Sequence, residues 1–250
     1  MADDDDELVA SLSGLSGLLT RDLALEQTLE RVAALAVQAI PGADGAGLTL
    51  LEPDRPQTVV ATADFVRQVD DIQYGLDEGP CVSAVAEARA VASGNLGGEP
   101  QWRRFGPRVG RLGVHSALSL PLLLPDRIVG ALNVYAHGRD VFDGHAIALG
   151  EAFAGPAAVT VANAQLLAQA QRLVGQLQDA LTSRAEIDQA IGVVMSRSGG
   201  SAAEAFDRLR TISQSRHVKL ADVARELLQD AVGRARARRR EPGPRERPRT

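Results

Sequence analysis

The chain has 250 residues, room for two modest domains, with 45% apolar and 24% charged side chains, the balance of a packed globular protein. Aromatics make up only 3%, so any core must rest on leucine, valine, isoleucine and alanine. One cysteine, Cys81, excludes an internal disulfide, and one thiol with four scattered histidines lacks metal-ligand spacing, so neither a metal nor a cofactor is expected.

No uninterrupted apolar run approaches the roughly 18 residues of a membrane helix, and the chain opens on Asp3 to Glu7 rather than a basic flank. A cytoplasmic protein without a membrane partner is expected. The net charge of −5 hides a division: residues 1–170 carry 11 basic and 22 acidic side chains, residues 171–250 carry 16 and 10. A basic segment behind an acidic body is the footprint of a protein that meets an anion at its C-terminal end, although a solvated basic face has the same composition.

Residues 1–20 are expected to be an acidic flexible terminus. From about residue 22, Leu25, Leu29, Val32, Ala33, Ala36, Val37 and Ile40 share one helical face, and Pro41-Gly42 ends the helix. Two strand-like runs, Ala46 to Leu51 and Gln57 to Ala61, flank the turn chemistry of Glu52-Pro53-Asp54 and predict a hairpin. An irregular region holding Gly75 to Cys81 follows, then a short helix over Val82 to Ala88 and a glycine-rich loop around Asn95 to Pro100. Strands Ser116 to Leu124 and Ile128 to Ala136 are joined by Pro125-Asp126-Arg127. The order predicts an α+β domain over residues 21–160, an antiparallel sheet flanked by helices.

Positions 163, 166, 170, 173, 177, 180, 184, 187, 191 and 194 alternate by three and four, a heptad seam running from Asn163 and Leu166 to Ile191 and Val194. It predicts a coiled-coil linker over 161–183 and a homodimer, with Asn163 setting register and Pro156 marking a kink beforehand; a single amphipathic helix packed on its own domain is the alternative. After Ser198-Gly199-Gly200, Ser201 and Glu204 form a capping box. Ala202, Ala205, Phe206, Leu209, Ile212 and Ser213 are expected on one side of the next helix, and Leu220, Val223, Ala224, Leu227, Leu228 and Ala231 on one face of a third. These close a small three-helix bundle over 184–233, with Phe206 expected in its core and a basic disordered tail over 234–250.

The run through Arg184, Ile187, Gln189-Ala190, Gly192, Met195, Ser201, Glu204-Ala205-Phe206, Leu209-Arg210, Ser213, Lys219-Leu220, Val223 and Ala224 resembles an ANTAR domain over its whole length. That resemblance implies a three-helix RNA-binding module that engages paired hairpins in nascent transcripts and prevents terminator formation. Where the family often has lysine before the glycine, this chain has Ile191, which removes one phosphate contact. Glu78-Gly79-Pro80-Cys81, the Trp102-Arg103-Arg104-Phe105 helix, Gly113-Val114-His115-Ser116, Ser119-Leu120-Pro121-Leu122, Gly130-Ala131-Leu132-Asn133 and Phe142-Asp143 are similar, in that order, to the GAF domains that precede ANTAR modules in actinobacteria. The resemblance spans residues 20–165 and implies a sensor of an unknown small-molecule or protein signal.

Within the RNA-binding module the candidate contacts are Arg184, Arg197, Arg208, Arg210, Arg216, Lys219 and Arg225. Cys81 and Trp102 are the candidates for lining a ligand pocket. Asp77 and Glu78 beside the thiol would raise its pKa, which favours a buried structural cysteine over a nucleophile. One aromatic makes no pocket, so Trp102 reads more simply as an anchor. His115, His137 and His145 are isolated and read as surface or hydrogen-bonded residues rather than haem ligands, and Gly94 to Gly98 lacks the lysine and serine of a P-loop. Together with the heptad seam, the resemblance implies a dimeric, non-enzymatic, signal-responsive antitermination regulator. The alternative is an interaction protein whose bundle binds a protein or DNA.

Overall fold

A computed structural model describes residues 2–19, 23–51 and 56–240. The chain divides into two compact units, residues 1–169 and 170–250. The first contains helices α1 (Ala2–Leu18) and α2 (Leu25–Ala39), strands β1 (Gly45–Leu51) and β2 (Pro56–Ala61), and helices α3 (Asp64–Leu76) and α4 (Pro80–Glu87). Strand β3 (Val91–Ser93), a 3-10 turn at Leu96–Gly98, α5 (Gly106–Gly110), β4 (Ser116–Leu123) and β5 (Ile128–Ala136) follow, with the start of α6 (Gly144–Ser198). The second unit holds the rest of α6, then α7 (Ala202–Arg216) and α8 (Leu220–Arg240).

The five strands form one antiparallel sheet in the order β2-β1-β5-β4-β3. Because side chains alternate along a strand, each central strand divides its residues between two faces. One face carries Ala46, Leu48 and Leu50 of β1 with Leu118, Leu120 and Leu122 of β4 and Leu132, Val134 and Ala136 of β5, all in one core. Helices α1, α2 and the start of α6 cover it: Leu29, Val32, Ala33 and Ala36 of α2 and Phe153, Ala157 and Val161 of α6 recur at helical spacing in that core. The opposite face is made of small and polar residues, among them Gly47, Thr49, Ser119, Asn133 and Tyr135. Covered by α3, α4 and α5, it forms a second core around Val66, Val69, Trp102, Phe105 and Val109.

Several expectations change. Residues 2–18 are helical rather than flexible, because Leu8, Leu12, Leu15 and Leu18 follow the acidic run at core-facing spacing, while Asp3, Asp4 and Asp5 occupy the first turn, where the helix dipole favours them. Helix α3 and edge strand β3 were not expected, and Trp102 to Phe105 are turn rather than helix, with α5 beginning at Gly106. The Glu52-Pro53-Asp54 turn and residues 241–250 of the expected tail lie outside the described residues; the part of that tail up to Arg240 continues α8.

Helix α6 runs unbroken past Pro156, whose carbonyl accepts the Thr160 hydroxyl at 3.0 Å. It contains an 18-residue stretch apolar enough by composition to cross a membrane, the only such helix among the described residues, and half of that stretch is buried. Leu166, Leu167, Leu173, Val174, Leu177 and Leu181 are about half or more exposed, whereas Ile187, Ile191 and Val194, the last apolar seam positions, pack inside the helical module. The uncovered part of the seam therefore runs on through Leu177 and Ala180 to Arg184, ahead of Ile187.

In the second unit the core is Ala190, Leu209, Val223 and Ala224, flanked by Ile187, Ile191, Val194, Leu220, Leu227 and Leu228. The capping box forms as expected: the Glu204 amide donates to Ser201 Oγ at 3.3 Å and the Ser201 amide to Glu204 Oε2 at 2.8 Å. Phe206 is not in the core. It is 37% exposed, because the rotation of α7 turns Ala205 and Leu209 inward instead. Leu209→Ala is therefore expected to destabilise this unit by about 2–5 kcal/mol and Phe206→Ala by less than half as much, measured by urea unfolding of the full chain followed by circular dichroism.

Candidate nucleic-acid interface and buried polar cluster

The polar face of the sheet is closed by a hydrogen-bonded cluster centred on Asp70 of α3. The fully buried Asp70 Oδ1 accepts the Tyr135 hydroxyl at 2.5 Å and Asn133 Nδ2–H at 3.2 Å, and Asn133 Oδ1 accepts the Ser119 hydroxyl at 2.9 Å. Asn133 also reaches the Tyr74 hydroxyl at 3.4 Å, and that hydroxyl pairs with Thr49 Oγ1 and lies 3.4 Å from Cys81 Sγ. Such burial is sustained only where the groups find partners in one another. Burial, then the Asp70 charge, pushes the Tyr135 phenol well above its usual value, and burial followed by Cys81 does the same to Tyr74. Helix α3 lies so close to β1 that a Cβ at Gly47 would sit 2.7 Å from Asp70 Oδ2.

The Glu78-Gly79-Pro80-Cys81 run is the device that seats α4. Glu78 Oε1 accepts the amides of Arg104 at 2.6 Å and Phe105 at 3.1 Å, which hold its carboxyl below the usual range and fix the turn after Trp102. Gly79 has φ +151°, a region essentially restricted to glycine, and a Cβ there would lie 2.4 Å from Gln73 Oε1. Pro80 opens α4, where its missing N–H costs nothing, and the Cys81 amide donates to that Gln73 oxygen at 2.9 Å. Gln73 Nε2, also buried, has no hydrogen-bond partner among the described residues.

Cys81 and Trp102 are both almost fully buried, and both reach α4: Cys81 belongs to it, and Trp102 Nε1–H donates to Ser83 Oγ at 3.2 Å. Trp102 anchors its turn edge-on to Phe105, ring centroids 6.3 Å apart. The buried polar cluster missed from sequence is Asp70 with Gln73 and Tyr74; their polarity concealed the inward face of α3. The three histidines are dispersed, with His137 against Phe65 at 4.7 Å and Gly113, His115 in the backbone network of Leu96 and Ala136, and His145 beside Asp4 at 3.3 Å. Among the described residues no group of three or more His, Cys, Asp or Glu is arranged to hold a metal ion.

In the helical unit all seven basic candidates are exposed, and ion pairing separates them. Arg225 grips Glu186 of α6 with two bonds of 3.0 and 2.8 Å and Asp222 with a third of 2.9 Å. Arg216 pairs with Glu226 at 2.6 Å and Arg210 with Asp207 at 2.9 Å. The Glu186 and Glu226 carboxylates hold the Arg225 and Arg216 guanidinium pKa values above their ordinary range. Arg184, Arg197, Arg208 and Lys219 make no ion pair among the described residues. Exposed pairs contribute little stability, so the paired arginines are shielded by their acids rather than locked.

A family model for the GAF domain matches residues 22–162, and one for the ANTAR domain matches residues 175–228. The chain belongs to the GAF domain family. It carries an ANTAR domain behind the GAF domain, the composition of a regulator that joins signal transduction to RNA binding and transcription control. No curated protein matches it.

Among solved structures, the GAF domain of a phosphoenolpyruvate-protein phosphotransferase from Coxiella burnetii is similar at 17% identity and TM-score 0.51, covering 64% of this chain and 95% of that one. A structure described only as that of the GAF domain is similar at 13% identity and TM-score 0.50, covering 63% and 88%. Free methionine-R-sulfoxide reductase from Neisseria meningitidis, in complex with its substrate, is 15% identical with TM-score 0.49, covering 64% and 91%. At these identities the likeness concerns the fold alone.

Burial, opposed by the Tyr74 hydrogen bond and reinforced by Asp70, pushes the Cys81 thiol from its ordinary 9.0 to about 12. A raised folded pKa gives stability that is complete below the unfolded value and is lost as pH climbs toward the folded one. The native thiol is therefore expected to resist alkylation at about pH 8, and the wild type to lose stability relative to Cys81→Ala between about pH 9 and about pH 11. Urea titrations of both proteins across that range check the sign.

Proposed function

We propose that this protein is a cytoplasmic, homodimeric antitermination regulator whose GAF domain, over 21–160, receives a small-molecule or protein signal and passes it through the 161–183 helix to ANTAR modules over 184–233 that bind transcript hairpins. The observation that carries the reading is the three-helix module with ANTAR spacing, in which Arg184, Arg197, Arg208 and Lys219 are exposed without an ion pair and Arg210, Arg216 and Arg225 are exposed and shielded, followed by an arginine-rich tail. Phosphate neutralisation by such side chains supplies affinity, and unpaired loop bases supply specificity. Catalysis is not proposed: the one thiol is buried and held protonated, which opposes its use as a nucleophile.

Dimerisation is supported by the uncovered apolar row on α6 from Leu166 to Leu181, too continuous to face water without cost. Leu177→Glu places a charge in the middle of that row and is expected to shift the chain from dimer to monomer in sedimentation. An unchanged dimer, or a wild type already monomeric at micromolar concentration, refutes the coiled coil.

RNA binding is tested by competition between a stem-loop RNA, a scrambled RNA and duplex DNA at increasing salt. Replacing Arg197, Arg208 and Lys219 together by alanine is expected to abolish the preference for the stem-loop while helicity is retained. Truncation after Val232 should weaken all nucleic acids alike and flatten the salt slope. A triple variant with full stem-loop preference, or a wild type that prefers duplex DNA, overturns the reading.

A further inference from the structure

Phe206 is the sole aromatic residue beyond residue 170, and 37% of it is left in solvent although it sits beside a core poor in large side chains. Its neighbours on α7, Ala205 and Leu209, are 2% and 1% exposed and supply the packing that the sequence pattern assigned to the ring. Helical spacing sets the rest of its surroundings. Ala202 and Ala203, one turn earlier, are exposed and too small to cover the ring, and Arg210, one turn later, places a guanidinium on the same side. The Arg210 pair with Asp207 joins side chains 58% and 60% exposed, the kind of contact that a phosphate can replace at little cost.

We infer that Phe206 is a stacking platform for an unpaired RNA base, with Arg210 holding an adjoining phosphate; the inference rests on the RNA-binding reading above. Every base has a π-face, so an aromatic ring with a cation one helical turn away matches a nucleotide extruded from a loop. A protein partner would be better served by a contiguous apolar patch, and the exposed Ile212, six residues on, lies on a different side of the helix. At helical spacing its exposed neighbours along α7 are instead Ala202, Ala203 and Arg210. Phe206 then adds a base contact from α7 to the stem-loop preference that Arg197, Arg208 and Lys219 support.

The test uses the full chain and two RNA probes, a stem-loop with 2-aminopurine placed at each loop position in turn, and a blunt duplex of the same stem. Phe206→Leu keeps an apolar, helix-favouring side chain but removes the ring. It is expected to weaken stem-loop binding by about tenfold or more, the scale of one base–aromatic stack, and to abolish the 2-aminopurine quenching seen at one loop position. Duplex affinity and helicity should be unchanged, and Phe206→Tyr should restore both affinity and quenching. Stem-loop affinity within about twofold of wild type in Phe206→Leu overturns the inference while leaving RNA binding standing. So does an equal loss on both probes with reduced helicity, which makes the ring structural, or altered self-association with unaltered RNA affinity, which makes it a protein contact. A wild type that binds stem-loop and duplex equally removes the RNA reading and this inference with it.

Discussion

The carboxylate of Asp70, buried between α3 and the sheet, is the constraint on which the first unit depends. Because such a group is costly without donors, Tyr135 and Asn133 must face it from β5, and Ser119 must in turn orient Asn133 from β4. Those requirements explain why one face of the sheet is polar and small while the other is almost wholly leucine, valine and alanine. They also fix how closely α3 approaches β1, because Gly47 leaves no side chain between Asp70 and the strand.

Much of this was legible in the sequence, and what was not shares one cause. Alternation in β4 and β5, the apolar face of α2 and the Ser201–Glu204 capping box follow from local periodicity, and each forms where residue spacing places it. Helix α3 was invisible because its inward positions include Asp70 and Gln73, which break the apolar period that reveals a helix. Tertiary partners decide burial there, and they come from residues about 60 positions away. Phe206 failed in the opposite direction: size and apolarity suggested a core residue, but Ala205 and Leu209 on the adjoining face filled the core first.

The basic candidates were legible as a group and not as individuals. Composition places their charge at the C-terminal end, but only geometry assigns Glu186, Asp207, Asp222 and Glu226 as counter-charges to three of them. Position 191 shows the same dependence on context. Its isoleucine departs from the lysine often found in related modules, and the side chain packs against the small core, so apolarity there stabilises the bundle at the expense of a cation.

The three shielded arginines make the module an electrostatic buffer. Added salt weakens the attraction between an exposed cation and a polyanion, and it equally weakens the hold of Glu186 on Arg225 and of Glu226 on Arg216. As ionic strength rises, guanidinium groups previously occupied by their own acids become available while every individual phosphate contact is losing strength. The response of this surface to salt is thereby gentler than that of seven permanently free cations, and polyanions that present only diffuse charge meet a face whose counter-charges are already in place.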